Sequence, residues 1–240
     1  MIRVLIGCES SGVIRDAFRA AGFDAWSCDL LDCEGDPTYH IKGDVFEQLT
    51  SGRWDVFIVH PDCTFLTNSA AWAYKDGPYH QKVKPGTLVG EERRKAREKA
   101  LGFVRKAMAA PCLFIALENP VGVISTMINA RDFGFSHSGA SQYIHPHEYG
   151  HDASKKTGLW LKNLPPLVPT KNIPPPAVGV LWVDVARRCG EIRMPKLQWE
   201  QHPVAQVGES DQFGAKQTVA KFRPLAGPLA NLSGVGGRHG

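Results

Sequence analysis

Short apolar runs alternate with amphipathic and charged stretches over the first half of the chain. Each run is bounded by glycine, proline or polar residues, as buried strands are. Apolar positions recur at helical spacing from Gly12 to about Ala21, and a charged helix is predicted over 91–109. The runs that predict strands are residues 2–6, 24–28, 55–59 and 113–117.

Strands that alternate with helices indicate an α/β fold with a mostly parallel sheet, covered by helices on both faces. In such sheets, ligands bind beyond the carboxyl ends of the strands. Glycine or polar residues follow the predicted strands, so we expect these residues to meet in one crevice. They are Gly7–Gly12, Asp29, Asp44, His60–Thr64 and Glu118–Pro120.

The composition changes near residue 164. The stretch LPPLVPTKNIPPPAVG carries six prolines, which excludes a regular helix or a central strand there. The final GVGGRHG is typical of a frayed tail. We therefore predict a catalytic region over 1–163 and a small irregular region over 164–240.

Bulk properties narrow the class of protein. No apolar run of about 18 residues is present, so no membrane partner is expected. The first residues are interpreted as a strand and not as a signal peptide, because charged residues interrupt the apolar segment early. Six cysteines without a C-x-x-C pair indicate a reduced, cytoplasmic protein. A net charge of +4 permits a nucleic-acid partner without requiring one.

The loop Gly7–Gly12 joins the first strand to the first helix. Its glycines allow close approach of a ligand to the backbone, although an ordinary strand-to-helix turn has the same composition. Asp29 follows the second strand about 20 residues later, where an acid commonly holds a ribose hydroxyl. A surface Asp that caps a helix is an equally good interpretation of that position.

The segment His60-Pro61-Asp62-Cys63-Thr64 places a cysteine directly after a buried strand. A reactive cysteine must be a thiolate, which needs a positive or hydrogen-bonding environment. Asp62 opposes this, because a neighbouring carboxylate raises a thiol pKa, whereas His60 can offset it. The alternative is a buried structural thiol.

Glu118-Asn119-Pro120 is also expected at a strand end. A carboxyl group in a closed pocket can protonate a ring nitrogen or form a hydrogen bond with it. The alternative is a helix start, where Glu or Asn precedes a proline in the first turn.

In order and spacing, these segments resemble the cytosine-C5 DNA methyltransferase family. The family has a glycine-rich first loop, an acid after the second strand, Gly-Asp-Ile/Val, Pro-Pro-Cys and Glu-Asn-Val. The matching segments here are Gly7–Gly12, Asp29, Gly43-Asp44-Val45, Pro61-Asp62-Cys63 and Glu118-Asn119-Pro120. A later Tyr149-Gly150 precedes a strand near 157–161, with Lys155 and Thr157 where the family has two arginines. The likeness covers about 2–162 and is nearest to short phage and mobile-element members, which share the run at 159–166.

The resemblance implies a Rossmann-like methyltransferase fold and S-adenosylmethionine as the cofactor. It implies that the Cys63 thiolate adds to C6 of cytosine and that Glu118 binds the N3 side of the ring, with Lys155 as the third catalytic residue. A duplex substrate requires base flipping. The implied cofactor-binding residues are Gly7, Glu9, Ser11, Gly12, Asp29, Asp44, His60 and Pro61. The implied substrate-binding residues are Thr64, Asn119, Pro120 and Thr157.

Three departures from the family pattern leave the activity and the substrate open. Asp62 replaces a proline, and lysine at 155 cannot reproduce a bidentate arginine contact. Only 164–240 follows the catalytic region, whereas specific duplex recognition buries about 1,000 Å² or more. DNA is the expected partner. Single-stranded DNA, RNA, a free pyrimidine nucleotide and a non-catalytic nucleic-acid-binding relative remain alternatives, and no oligomeric state is predicted.

Three further features have competing interpretations. The basic residues of 91–109 favour a solvated helix face paired with glutamates over a phosphate-binding surface. The loop between Thr64 and Gly90, which carries Trp72, Tyr74 and Tyr79, is a candidate lid over the base. His145, His147 and His151 with Glu148 lack the helical spacing of a zinc protease site, so no metal is predicted.

Overall fold

The computed structural model describes residues 1–52, 54–80, 82–150, 153 and 155–170. The predicted region 164–240 therefore lies outside the described residues from 171 onward. The strands are β1 (Arg3–Gly7), β2 (Asp24–Asp29), β3 (His40–Lys42), β4 (Val56–Val59), β5 (Phe114–Pro120), β6 (Gln142–Ile144) and β7 (Thr157–Lys162). The helices are α1 (Val13–Ala20), α2 (Val45–Ser51), α3 (Gly90–Met108) and the single turn α4 (Ile124–Met127).

One sheet of seven strands organises this part of the chain, in the order β3-β2-β1-β4-β5-β7-β6. The strands from β3 to β5 pair in parallel, whereas β7 is antiparallel to both of its neighbours. The chain leaves β1 towards β2 on one side and returns to β4 on the other. This topology confirms the predicted Rossmann-like α/β fold, and its switch point lies between β1 and β4.

Both faces of the sheet are buried, which explains the unbroken apolar runs of the central strands. Val4 and Ile6 of β1 face a cluster that includes Ile14 and Phe18 of α1. Leu5, between them in sequence, belongs to the larger cluster on the opposite face, which α2 and α3 cover. Alternate residues of one strand thus enter two different cores.

Four elements were not predicted: β3, β6, α2 and the single turn α4. β3 and β6 have three residues each and lie at the two edges of the sheet, so neither carries an apolar run. The start of α2 is set by the Asp44 side chain, whose Oδ1 accepts a hydrogen bond from Phe46 N at 2.8 Å. Asp44 therefore caps a helix as well as following β3.

The predicted strand 113–117 is too short. β5 continues through Pro120, because β7 pairs with it as far as Pro120 and Thr157. Glu118, Asn119 and Pro120 are thus the last residues of a strand and do not start a helix. The strand implied near 157–161 is confirmed as β7. Within the described residues, no helix is both long and apolar enough to cross a bilayer.

Candidate active site

Backbone hydrogen bonds join the strand ends at the carboxyl edge of the sheet. His60 N donates to Gly7 O at 3.1 Å, Cys8 N donates to Cys28 O at 2.8 Å, and Gly43 N donates to Asp29 O at 2.8 Å. The segments after β1, β2, β3 and β4 therefore border one another. The structure brings the predicted crevice residues together.

Glu9 fills the N-terminus of α1. Its side chain accepts hydrogen bonds from Ile14 N at 2.6 Å and Arg15 N at 3.3 Å, and the residue is 3% exposed. Burial raises the pKa of this carboxyl above its ordinary value, although the bond from Ile14 opposes the shift. Because a protein carboxylate occupies this anion-binding position, the loop has no free helix terminus for a ligand phosphate.

Three carboxylates, which we call the acidic crevice, surround the first loop. They are Asp29, Asp44 and Asp62. Burial raises the pKa of the Cys8 thiol to about 12, and the charges of Asp29, Cys28, Asp44 and Asp62 add to the shift. All three carboxylates therefore lie near this thiol. Negative charge on several sides makes this crevice favourable for a cationic ligand.

Cys63 lies in the turn that follows β4 and is partly buried. Burial raises the pKa of its thiol most strongly. The charge of Lys155 opposes this shift, whereas Asp62 and Glu118 add to it. Three charged side chains predicted to lie at the site, Lys155, Asp62 and Glu118, therefore lie close enough to influence the sulfur.

Asp62 is turned towards Thr64. One carboxylate oxygen, Oδ1, accepts hydrogen bonds from Thr64 N at 2.9 Å and from the Thr64 hydroxyl at 2.7 Å. Both residues are exposed. The predicted substrate-binding hydroxyl of Thr64 therefore holds the Asp62 carboxylate in this structure.

Asn119 supports, from β5, the segment that carries the predicted nucleophile Cys63. Its Nδ2 donates to Pro61 O at 2.8 Å, and its side chain is fully buried. On the neighbouring strand β7, the buried Thr157 donates through Oγ1 to Lys155 O at 3.3 Å. The structure thus gives these two predicted substrate-binding residues supporting contacts to Pro61 and Lys155. Pro120 pairs with Thr157 at the end of the ladder.

Glu118 is 8% exposed and lies beside His60, which is 1% exposed. His60 Nδ1 is 3.3 Å from Glu118 Oε2. His60 was predicted to bind the cofactor, and its contact with Glu118 has no signal in the sequence, because 58 residues separate the two.

The turn at residues 63–67 carries the predicted nucleophile Cys63, so we call it the nucleophile turn. It is fixed from α3. Arg97 Nε donates to Phe65 O at 2.9 Å, and Arg97 Nη2 donates to Thr67 O at 3.4 Å. The Tyr74 hydroxyl also donates to Phe65 O at 3.0 Å, and the Arg97 guanidinium lies 3.3 Å from the centre of the Tyr74 ring. Arg97 and Tyr74 thus join α3 to the segment that carries Cys63.

The nucleophile turn is fixed on its other side by the segment after β5. Val123 N donates to Leu66 O at 2.8 Å, and Thr67 pairs with Gly122. A Cβ at Gly122 would lie against Leu66 O, much closer than van der Waals contact. Glycine is therefore required at 122 by close backbone approach.

The predicted solvated face of α3 is correct only in part. Lys95 and Arg105 pair with glutamates of the same helix. Arg93 lies over the Tyr74 ring at 4.8 Å, and Arg94 donates to Tyr74 O at 2.8 Å. The candidate lid is therefore held on α3 by arginines. Arg93 and Arg97 stand four residues apart, opposite an aromatic-rich loop, and that spacing is the signal that could have indicated the contact.

The histidine-rich segment forms a short 3₁₀ turn, Pro146–Glu148, in which Glu148 Oε2 accepts from His145 N at 2.7 Å. His151 lies outside the described residues. Among those described, no three His, Cys, Asp or Glu side chains are grouped to hold a metal ion.

No protein-family model and no curated protein matches the sequence. Among solved structures, one similar chain is described as a DNA modification methyltransferase encoded within a prophage of E. coli. It is 15% identical with a TM-score of 0.42, over 72% of this chain and 52% of that one. A second is the S. pombe Dnmt2 methyltransferase, 12% identical with a TM-score of 0.35, over 87% of this chain and 57% of that one. This chain thus spans little more than half of either, and likeness at this level carries no argument about activity.

Proposed function

We propose that the protein is an S-adenosylmethionine-dependent methyltransferase that acts on C5 of cytosine in DNA through a covalent bond to Cys63. One observation carries the proposal: a thiol and a buried carboxyl group lie close together at the ends of neighbouring parallel strands, with a lysine beside the thiol. Cys63 follows β4, Glu118 ends β5, and Lys155 and Glu118 both influence the charge state of the sulfur.

The chemistry of the crevice fits the proposed cofactor. S-adenosylmethionine carries a sulfonium and an amino group, both cationic, and it has no phosphate. The acidic crevice favours cations, and Glu9 already occupies the anion-binding end of α1. A dinucleotide cofactor does not fit in this way, because its phosphates are anionic and the anion-binding end of α1 is already occupied. The residues proposed to hold the cofactor are Gly7, Glu9, Ser11, Gly12, Asp29, Asp44 and Pro61, whereas His60 contacts Glu118 instead.

The cofactor supplies an electrophilic methyl group. The Cys63 thiolate forms a bond to C6 of the ring, and Glu118, in its protonated form, gives its proton to N3. The electron pair of the C5–C6 bond then makes C5 nucleophilic. After C5 takes the methyl group, it loses its proton to a base and the bond between sulfur and C6 breaks, which restores the thiolate. N3 then returns its proton to the Glu118 carboxylate, so the base is released neutral.

Activation of Cys63 depends on Lys155. Burial disfavours the thiolate, and so do the charges of Asp62 and Glu118. Protonation of Glu118 removes one of these opposing charges. The protonated Glu118 that cytosine needs as an acid therefore also makes the Cys63 thiol easier to ionise. The positive charge of Lys155 favours the thiolate. Substrate contacts are proposed at Thr64, Asn119, Pro120 and Thr157.

The arginines of α3 favour a second substrate class. Arg93, Arg94 and Arg97 contact the loop at 65–79, which leaves fewer cations in the described residues for the phosphates of a long duplex. Single-stranded DNA, RNA or a pyrimidine nucleotide is the candidate that this observation supports.

The experiment is methyl transfer from labelled S-adenosylmethionine to duplex DNA, single-stranded DNA, RNA and free cytidine nucleotides at matched salt. We expect the label on cytosine C5, with its loss in Cys63→Ala and its retention in Cys33→Ala. Cys33 is a partly buried thiol that accepts a hydrogen bond from Arg15 Nη1 at 3.5 Å, and it is not among the residues proposed for catalysis or binding. Label on the exocyclic amine contradicts the covalent mechanism.

A further inference from the structure

His60 has two ring nitrogens with different surroundings. Nδ1 lies 3.3 Å from Glu118 Oε2, whereas Nε2 is buried and has no hydrogen-bond partner within the described residues. His60 is 1% exposed, so bulk water does not form a hydrogen bond with Nε2. The Glu9 carboxyl group is a second acid near this ring.

The contact between His60 Nδ1 and Glu118 Oε2 is also the principal contact of the Glu118 side chain. Within the described residues, His60 is the only side chain hydrogen-bonded to its carboxyl group. Lys155, which is the nearby cation, forms no ion pair with it within the salt-bridge distance among those residues. The orientation of the Glu118 carboxyl at the end of β5 therefore depends on the imidazole.

The position of the imidazole proton follows from these surroundings. A neutral imidazole carries one N–H, and a buried N–H without a partner is rarer in proteins than an unpaired acceptor. A proton on Nδ1 has Oε2 as its acceptor, whereas a proton on Nε2 has none. His60 is therefore a donor to Glu118.

We propose that His60 is the positioning residue of Glu118, an inference that rests on the function proposed above. The hydrogen bond from Nδ1 holds the Glu118 carboxyl group in one orientation at the end of β5, before and after its proton moves to N3 of the base. His60 keeps its own proton throughout. It fixes Oε2 and thereby directs the other carboxyl oxygen.

Two substitutions separate this role from packing. His60→Asn places an amide at the level of Nδ1 and can still donate to Glu118, whereas His60→Phe fills the space without a donor. We expect single-turnover methyl transfer by His60→Asn to stay within about 5-fold of the wild type, and that of His60→Phe to fall about 10- to 100-fold. The dissociation constant for S-adenosylmethionine stays within about 2-fold in both.

Equal losses in the two variants, or a dissociation constant that rises in step with the loss of rate, overturn the proposal. The second result would make His60 a cofactor ligand through Nε2.

A spectroscopic measurement needs no activity. The ¹⁵N resonance of His60 Nδ1 is compared in the wild type and in Glu118→Leu, with His40 as the internal control, because His40 Nδ1 bonds Ser27 instead. We expect the His60 signal to move and the His40 signal to stay. An unmoved His60 signal refutes the contact even if His60→Phe does not fold. If the wild type transfers no methyl group, the proposed function is refuted, but the ¹⁵N comparison still tests the contact between His60 and Glu118.

Discussion

Replacing Arg97 with alanine removes the side chain that joins α3 to the nucleophile turn. The change deletes a hydrogen bond of 2.9 Å to Phe65 O, a longer one to Thr67 O and the stack on Tyr74. A hydrogen bond from a charged group contributes about 1.5–3 kcal/mol. Phe65 O keeps the bond from the Tyr74 hydroxyl, so we place the loss near the lower end, at about 2 kcal/mol.

Two quantities follow from that figure. If the whole loss falls on the ordered position of Cys63, single-turnover methyl transfer slows about 30-fold, since each 1.36 kcal/mol is tenfold in rate. The melting temperature falls by about 4–8 °C for a chain of this size. Alkylation of Cys63 by iodoacetamide, followed by peptide mapping, reports whether the turn has opened.

Arg105→Ala is the matched control on the same helix. Arg105 pairs with Glu98 on an exposed face, and such a pair contributes about 0–1 kcal/mol. The reasoning is refuted if Arg97→Ala and Arg105→Ala reduce the rate equally, or if Arg97→Ala melts lower while the rate and the alkylation of Cys63 are unchanged.

Three further predictions concern charge and close packing. Burial raises the pKa of Glu9, so the folded state binds more protons than the unfolded state. The melting temperature of the wild type, measured relative to that of Glu9→Gln, should therefore fall as the pH rises above 4.5. A difference that stays constant with pH would contradict this. Asp62→Asn should speed alkylation of the nucleophile about two- to fivefold near pH 7.5 and Lys155→Met should slow it by a similar factor, because the first lowers its pKa and the second raises it; shifts in the same direction would refute the assignment. Gly122→Ala should cost about 1–3 kcal/mol in urea unfolding because its Cβ meets a carbonyl oxygen, whereas Gly102→Ala inside α3, with no atom near its Cβ, should stabilise by about 0.5–1 kcal/mol.

The central strands could be predicted because burial on both faces leaves apolar residues in a row, as in Val4-Leu5-Ile6 and Val56–Val59. The polar residues at their carboxyl ends then indicated the crevice. β3 and β6 could not be predicted in this way, since a three-residue edge strand is recognised by pairing with its neighbour and not by composition.

The roles of individual side chains followed the sequence less closely. That Glu9 faces the cofactor stays a prediction, but its hydrogen bonds to the first amides of α1 had no signal in the sequence. A buried carboxylate needs such hydrogen bonds. The four-residue spacing of Arg93 and Arg97 was a weak sequence signal for their contact with the loop. The position of the 65–79 loop in the structure is what distinguishes Arg97 from Arg105, which pairs with Glu98. The contact of His60 with Glu118 depends on the neighbouring positions of β4 and β5 in the sheet, which no local pattern specifies.

The central claim is tested most directly with DNA that carries 5-fluorocytosine, incubated with S-adenosylmethionine. Fluorine at C5 cannot leave as a proton does, so elimination is blocked and the bond between sulfur and C6 persists. We predict one adduct that survives denaturation and maps to Cys63, is lost in Cys63→Ala and is kept in Cys33→Ala. Methyl transfer to cytosine C5 without any adduct, or an adduct on another cysteine, would contradict the assignment of Cys63 as the nucleophile.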